Sequence, residues 1–240
     1  MPGSLKTEAI VLRGIRYGEA DRVLHLYTPE RGRVSAIAKG VRRAKSRFGG
    51  RLEPFFRLNL VLYQGKSDLM TVTSAETLAG HPRLREHAAA IDGAARACHA
   101  VDRLFGDGEP HPGVYHLLAN LLALLDREPQ HATRANALAF RLKLLLAAGF
   151  APHLASCASC GEPEHLVGFS GAAGGVVCGA CEAGSFALSQ EGHDFLVAAL
   201  GRPLAEAPDA EPPALQQAER AILETLEHHA HVRLRGVGAR

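Results

Sequence analysis

No stretch of this 240-residue chain approaches the run of about 18 apolar residues that a membrane span requires. The opening MPGSLKTEAIVLRGIRYGE also lacks the charged-then-apolar layout of a secretory leader, so a soluble cytoplasmic protein is the expectation. There is no GxxxxGK phosphate loop, no HExxH pair and no GxSxG nucleophile elbow. These absences remove the commonest signatures of nucleotide hydrolysis, metalloproteolysis and serine hydrolysis, and no enzyme is expected. The histidines are numerous but scattered, and those on Ala/Leu-rich segments (His87, His99, His116) read as surface or core residues. No internal repeat is visible.

A further absence is local. Between Glu30 and Glu53 there is no acid at all, while AKGVRRAKSRFGG (residues 38–50) carries five cations. The chain as a whole is near balance, with 27 Lys+Arg against 25 Asp+Glu. Residues 1–80, however, hold 14 basic and 7 acidic residues, a net charge of +7. A basic module joined to a more acidic remainder suits a charged partner such as nucleic acid. Lys39, Arg42, Arg43, Lys45, Arg47 and Arg51 are therefore candidate phosphate contacts, with Phe48 a candidate stacking surface for a base.

The segments Glu8–Arg13, Arg22–Thr28, Arg33–Ala38, Leu58–Tyr63 and Leu69–Thr73 are rich in Val, Ile, Leu, Tyr and Thr and are separated by Gly- and Pro-containing turns. Five short strands in about 70 residues suit a small closed barrel of the OB type. Beyond Gly80-His81-Pro82 the pattern turns helical. Apolar residues recur at helical spacing in 83–104, 112–127 and 133–148, and further helices are expected at 190–200 and 214–230, the last entered through Pro212-Pro213. The expected chain is α+β. An OB-type nucleic-acid-binding barrel occupies residues 1–80, and an α-helical domain occupies 81–240 with a zinc-finger insert at about 153–187.

That insert is defined by Cys157, Cys160, Cys178 and Cys181, in the spacing C-x2-C-x17-C-x2-C. Two residues between cysteines let both thiolates turn onto one metal, and Gly161 and Gly179 are expected to relieve the two knuckles. Four sulfurs make a closed tetrahedron, the donor set of one structural Zn²⁺. No Lys or Arg falls in 161–189, so the finger has no electrostatic footprint for DNA and its role reads as structural. The isolated Cys98 reads as a small buried side chain.

The stretches Tyr17-Gly18-Glu19-Ala20-Asp21-Arg22, Tyr27-Thr28-Pro29-Glu30-Arg31-Gly32, Ala38-Lys39-Gly40, Ser46-Arg47 and Leu52-Glu53-Pro54-Phe55 resemble the N-terminal signature of the bacterial RecO family of recombination mediators. Phe140-Arg141-Leu142-Lys143-Leu144-Leu145, Gly149-Phe150-Ala151-Pro152 and the cysteine pairs follow in the family's order, whereas the ending His228-His229-Ala230-His231-Val232-Arg233 departs from it. The resemblance implies binding of single- and double-stranded DNA, annealing of complementary strands, and partnership with RecR and the C-terminal tail of single-stranded-DNA-binding protein, so that RecA is loaded during repair. It also implies association with the nucleoid. Arg134, Arg141 and Lys143 are the cations available on the third helix to receive that acidic tail. Two other classes compete: a protein adaptor whose barrel binds peptide, and a zinc-dependent nucleic-acid enzyme. The enzyme needs an open metal position beside an H-x-E glutamate, which Glu162 and Glu164 do not provide.

Overall fold

The computed structural model describes residues 3–67 and 69–237, which form two compact units, Met1–Pro129 and Gln130–Arg240. In the first, strands β1 (Gly3–Tyr17), β2 (Asp21–Thr28), β3 (Gly32–Ala38), β4 (Arg57–Gln64) and β5 (Met70–Ala79) close into a barrel of order β1-β2-β3-β5-β4. This is the five-stranded OB-type architecture. Alternation fills the barrel: Ala9, Val11, Leu24, Leu26, Val34, Ala36, Leu58, Leu60, Leu62 and Val72 point inward and are nearly inaccessible to solvent.

The strands run longer than the sequence suggested, most of all β1. Its first half pairs with β4 from Gly3↔Gln64 to Ile10↔Arg57, and its second half pairs with β2 from Ile10↔Tyr27 to Tyr17↔Asp21. One strand thus serves two ladders, and a bulge between Val11 and Arg13 bends it from one to the other. The chain before β4 closes that bend, with Phe55 N donating to Val11 O (2.8 Å) and Val11 N donating to Phe56 O (3.0 Å). The opposite seam is short. Among the described residues, parallel β3 and β5 pair only at Ala36↔Met70 and Ile37↔Thr71.

Helices α1 (Ala88–Leu104) and α2 (Pro112–Arg127) belong to the same unit as the barrel. The first starts later than its apolar spacing suggested, because Leu84–Glu86 form a separate 3-10 turn and His87 is extended. Its buried stripe of Ala90, Ala94, Ala97 and Val101 uses small side chains, so the helix packs closely. An acid also lies on that stripe: Asp102 is buried and meets Arg13 Nε (2.7 Å) from β1, His25 Nδ1 (2.9 Å) from β2 and Arg33 Nη1 (3.6 Å) from β3. A second clip holds α2, where Tyr115 Oη donates to Glu8 Oε2 (2.7 Å) and Arg57 Nη2 lies 2.9 Å from the same oxygen.

The second unit holds α3 (Arg134–Ala147), a three-stranded sheet of β6 (Leu166–Ser170), β7 (Gly175–Cys178) and β8 (Phe186–Ala187) in the order β7-β6-β8, then α4 (Gln190–Gly201) and α5 (Pro212–His229). Side-chain oxygens of Thr133 and Ser189 cap α3 and α4 by accepting from Asn136 N and Gly192 N, and proline at the first turn opens α5. The segment between α4 and α5 is anchored rather than loose. Leu204 is buried there, and its carbonyl accepts from Asn136 Nδ2 (2.7 Å). Among the described residues no helix is long and apolar enough to cross a membrane.

Candidate nucleic-acid interface and metal centre

The loop from Lys39 to Phe56 is a series of tight turns held at three places. Its entry docks on the β1–β2 turn, where Gly40 N donates to Asp21 Oδ1 (2.8 Å), Arg42 N to Ala20 O (2.9 Å) and Arg42 Nη1 to Glu19 O (3.1 Å). Its middle plunges into the barrel: Phe48 and Leu52 are 2% and 1% exposed and belong to the barrel core. Its far side is tied by Glu53, which pairs with Arg22 Nη1 at 2.8 Å. Gly14 makes that pair possible, since a Cβ there would stand 2.6 Å from Arg22 Cδ.

Apolar anchors inside leave the charged positions outside. Lys39, Arg42, Arg43, Lys45, Arg47 and Arg51 are all exposed, and among the described residues none has a carboxylate within ion-pair distance. The contrast is internal to the unit, where Arg13, Arg22, Arg33 and Arg57 are each matched to an acid. Two of the loop cations also have local work. Arg47 Nη2 donates to Val72 O (3.4 Å) with its guanidinium 4.7 Å from the Phe48 ring centre, and Arg51 Nη1 donates to Arg47 O (3.4 Å). The expectation that Phe48 offers its ring to a base is corrected: the ring is a plug in the top of the barrel, covered by Arg47 on its remaining side.

Asp102 is a structural residue that sequence reading passed over. Burial pushes its carboxyl up, but the hydrogen bond and charge of His25, then Arg13, outweigh burial and hold it below the ordinary carboxylate range. The available signal was an acid on the buried stripe of an Ala-rich helix. Beneath it, on the outer face of β1–β2–β3, His25 and Arg33 are largely covered while Arg13 stays about half exposed. A groove of about 730 Å³ opens beside this cluster, lined among others by Glu30, Arg31, Arg33, Ser35, Met70 and Asp107. Its two acids oppose its two arginines, and Arg33 Nε is already bound to Asp107 Oδ1 at 2.7 Å. It is not an anion track.

In the second unit the four cysteine sulfurs all lie within 4.8 Å of one another, Cys160 and Cys178 Sγ being 3.6 Å apart. Sulfurs bound about 2.3 Å from one tetrahedral centre stand about 3.8 Å apart, so the set fits a single metal ion. Backbone builds the first knuckle: Cys157 N donates to Glu162 O (2.7 Å), Gly161 N to Cys157 O (2.8 Å) and Ala158 N to Val176 O (2.8 Å). Gly161 takes the left-handed conformation (φ +83°) that a side chain would strain. Gly179 does not; it opens the 3-10 turn Gly179–Cys181, and nothing in the structure requires glycine there.

The electrostatics of the set also favour a cation. The Cys178 backbone hydrogen bond, before those of Cys160 and Ser159, draws the Cys157 thiol down to about 6, while the Cys160 and Cys178 sulfurs push Cys181 up to about 12. Four thiolates this close ionise together only around a positive ion. A small buried cluster backs the sulfurs, Cys157, Val177 and Cys178 with Leu166 and Cys181 against it. Cys98, in the first unit, is buried in α1 with its thiol pushed up to about 12 by burial.

The three cations expected to receive an acidic tail are engaged internally. Arg134 Nη2 pairs with Glu219 Oε2 (2.6 Å), Arg141 is buried with Nη2 donating to Arg235 O (2.7 Å), and Lys143 Nζ donates to Leu200 O (2.8 Å). They build the packing of α3 rather than an open basic patch.

Known proteins match the chain along nearly its whole length. The family model Recombination protein O N terminal covers residues 1–81, and Recombination protein O C terminal covers residues 85–236. The chain is 39% identical over 246 residues to the DNA repair protein RecO of Anaeromyxobacter dehalogenans (strain 2CP-C), spanning 96% of this chain and 93% of that protein. It is 42% identical over 178 residues to the RecO of Rubrobacter xylanophilus, spanning 73% and 71%. It is 38% identical over 184 residues to that of Cutibacterium acnes, spanning 74% of each.

Proposed function

The chain belongs to the RecO family of DNA repair proteins, and from that premise we propose that it is a recombination mediator whose barrel region, residues 1–80, binds single- and double-stranded DNA through the β3–β4 loop. One observation carries the reading: six exposed cations on a loop fixed from within the core, none with a carboxylate of the described residues within ion-pair distance. Such a surface lowers phosphate–phosphate repulsion and so brings complementary strands together without covalent chemistry. Residues 81–240 are the partner-docking part, for RecR and the tail of single-stranded-DNA-binding protein, so that RecA is loaded onto covered DNA. With Arg134, Arg141 and Lys143 engaged, the tail needs a different basic rim from the one the sequence suggested. Zn²⁺ is the ion assigned to Cys157, Cys160, Cys178 and Cys181, because four thiolates in a closed tetrahedron suit it and leave no position for a reactive water.

The test is the salt dependence of oligonucleotide binding. With about four loop cations on single-stranded DNA, log K falls against log salt with a slope near −3, and Arg42→Ala with Arg43→Ala flattens it by about 1–1.5. Loss of affinity is the same across unrelated sequences, because phosphate contacts position without specifying. Unchanged affinity and slope in the double variant would remove the loop from the DNA path.

A further inference from the structure

The outer face of β1–β2–β3 is built in rows by strand register. Tyr17 stands opposite Asp21, Ile15 opposite Val23 and then Ile37, and Arg13 opposite His25 and then Ser35. The Arg13–His25 row and Arg33 below it are occupied by Asp102 of α1, and Tyr27 by the Phe105 ring, whose centre is 5.9 Å away. The upper rows are open at their β1–β2 end, whereas Ile37 on β3 is buried. Ile15 is 44% and Tyr17 58% exposed, and Val23 between the strands is half-buried. Strands 2 and 3 of an OB barrel, with the β1–β2 loop, form the side on which such barrels take oligonucleotides.

This apolar step adjoins the exposed cations of the β3–β4 loop. Tyr17 ends β1 immediately before the turn on which Arg42 rests through Glu19 O and Ala20 O, and its cross-strand partner Asp21 is held by Gly40 N of the same loop. Asp21 is thereby engaged, leaving Glu19 as the exposed acid of that turn. An exposed tyrosine and isoleucine side by side need a flat, weakly hydrated occupant. Beside them, uncompensated cations need a polyanion. An unpaired nucleotide strand has both in one ligand, since each base offers a π-face and each link a phosphate. A duplex does not, because its bases are already stacked on one another.

We propose that Tyr17, with Ile15 beneath it, is the base-stacking platform of this protein for single-stranded DNA, with the β3–β4 loop cations holding the flanking phosphates. This deepens the reading of the loop as the DNA path and rests on it.

The chain contains no tryptophan, so a Tyr17→Trp variant carries a single indole at the proposed contact. Titrated with a thymidine oligonucleotide, its fluorescence should be quenched with the same midpoint as the binding seen by anisotropy of a labelled strand, and a blunt duplex should bind without that quenching. Tyr17→Ala should weaken single-strand binding about 5- to 150-fold, the equivalent of one stacked base. It should leave duplex affinity and the salt slope unchanged, and Tyr17→Phe should restore wild-type binding. An indole whose emission does not move at saturating oligonucleotide, or a Tyr17→Ala protein with wild-type single-strand affinity, overturns the proposal while leaving the cation loop intact. A wild-type protein that binds no oligonucleotide overturns both.

Discussion

Replacing Asp102 by alanine should cost more stability than any other single loss of charge in the first unit. The carboxylate is 4% exposed and stands between Arg13, His25 and Arg33. Removing one partner of a buried ion pair typically costs about 3–5 kcal/mol. Two features of the site reduce that figure here. Arg13 is about half exposed and can turn to water, and Arg33 keeps both Asp107 and the Asp102 carbonyl. About 2–3 kcal/mol remains, which for a chain of this size lowers the melting temperature by roughly 4–12 °C. Urea unfolding followed by far-UV circular dichroism measures it, with Asp102→Asn as companion. The amide keeps the shape and an acceptor, so about half of the loss should return. A Asp102→Ala protein within about 0.5 kcal/mol of wild type would refute the idea that this carboxylate fastens α1 to the barrel.

Phe48→Ala should behave as a core deletion, destabilising by about 3–5 kcal/mol in the same assay, and its DNA affinity at temperatures where it stays folded should fall only as far as the loop is displaced. Glu8, held low first by the Tyr115 hydrogen bond, and Asp102 both have depressed folded-state pKa values. Their stabilisation is therefore complete above the unfolded-state values of about 4 and is lost as pH falls through the lower folded values, so the part of the unfolding free energy removed by Glu8→Gln or Asp102→Asn should be flat above about pH 5 and shrink below about pH 4. Purified protein should carry about one zinc per chain, and chelation or Cys157→Ser should lower thermal stability while leaving the salt slope of DNA binding unchanged.

Much of the barrel is legible in the sequence because its strands alternate and its turns carry glycine and proline. The double use of β1 is not, since the bulge at Val11–Arg13 depends on the distant Phe55–Phe56. Phe48 illustrates another limit. An aromatic among arginines reads as a nucleic-acid contact, but the same pattern describes an anchor that sets the arginines outward, and only the packing of Leu52, Met70 and Val72 around the barrel top distinguishes them. Tyr17 lay in plain view at a strand end, yet its significance depends on which rows of the sheet α1 leaves uncovered. The cysteines were legible in full, spacing alone bringing together residues that the fold places within 4.8 Å.

The unequal seams of the barrel have a mechanical consequence. Among the described residues, eight pairs join β1 to β4, whereas two join β3 to β5. The barrel is therefore closer to two leaves, the β1–β2–β3 meander and the β4–β5 hairpin, with a long spine on one side and a clasp on the other. Thermal opening will begin at the clasp, where the fewest hydrogen bonds must break, and amide exchange at Ile37 and Thr71 should outrun exchange along the spine. The basic loop runs from β3 to β4 and so joins the two leaves, which makes the clasp beside it a determinant of how steadily that loop is presented.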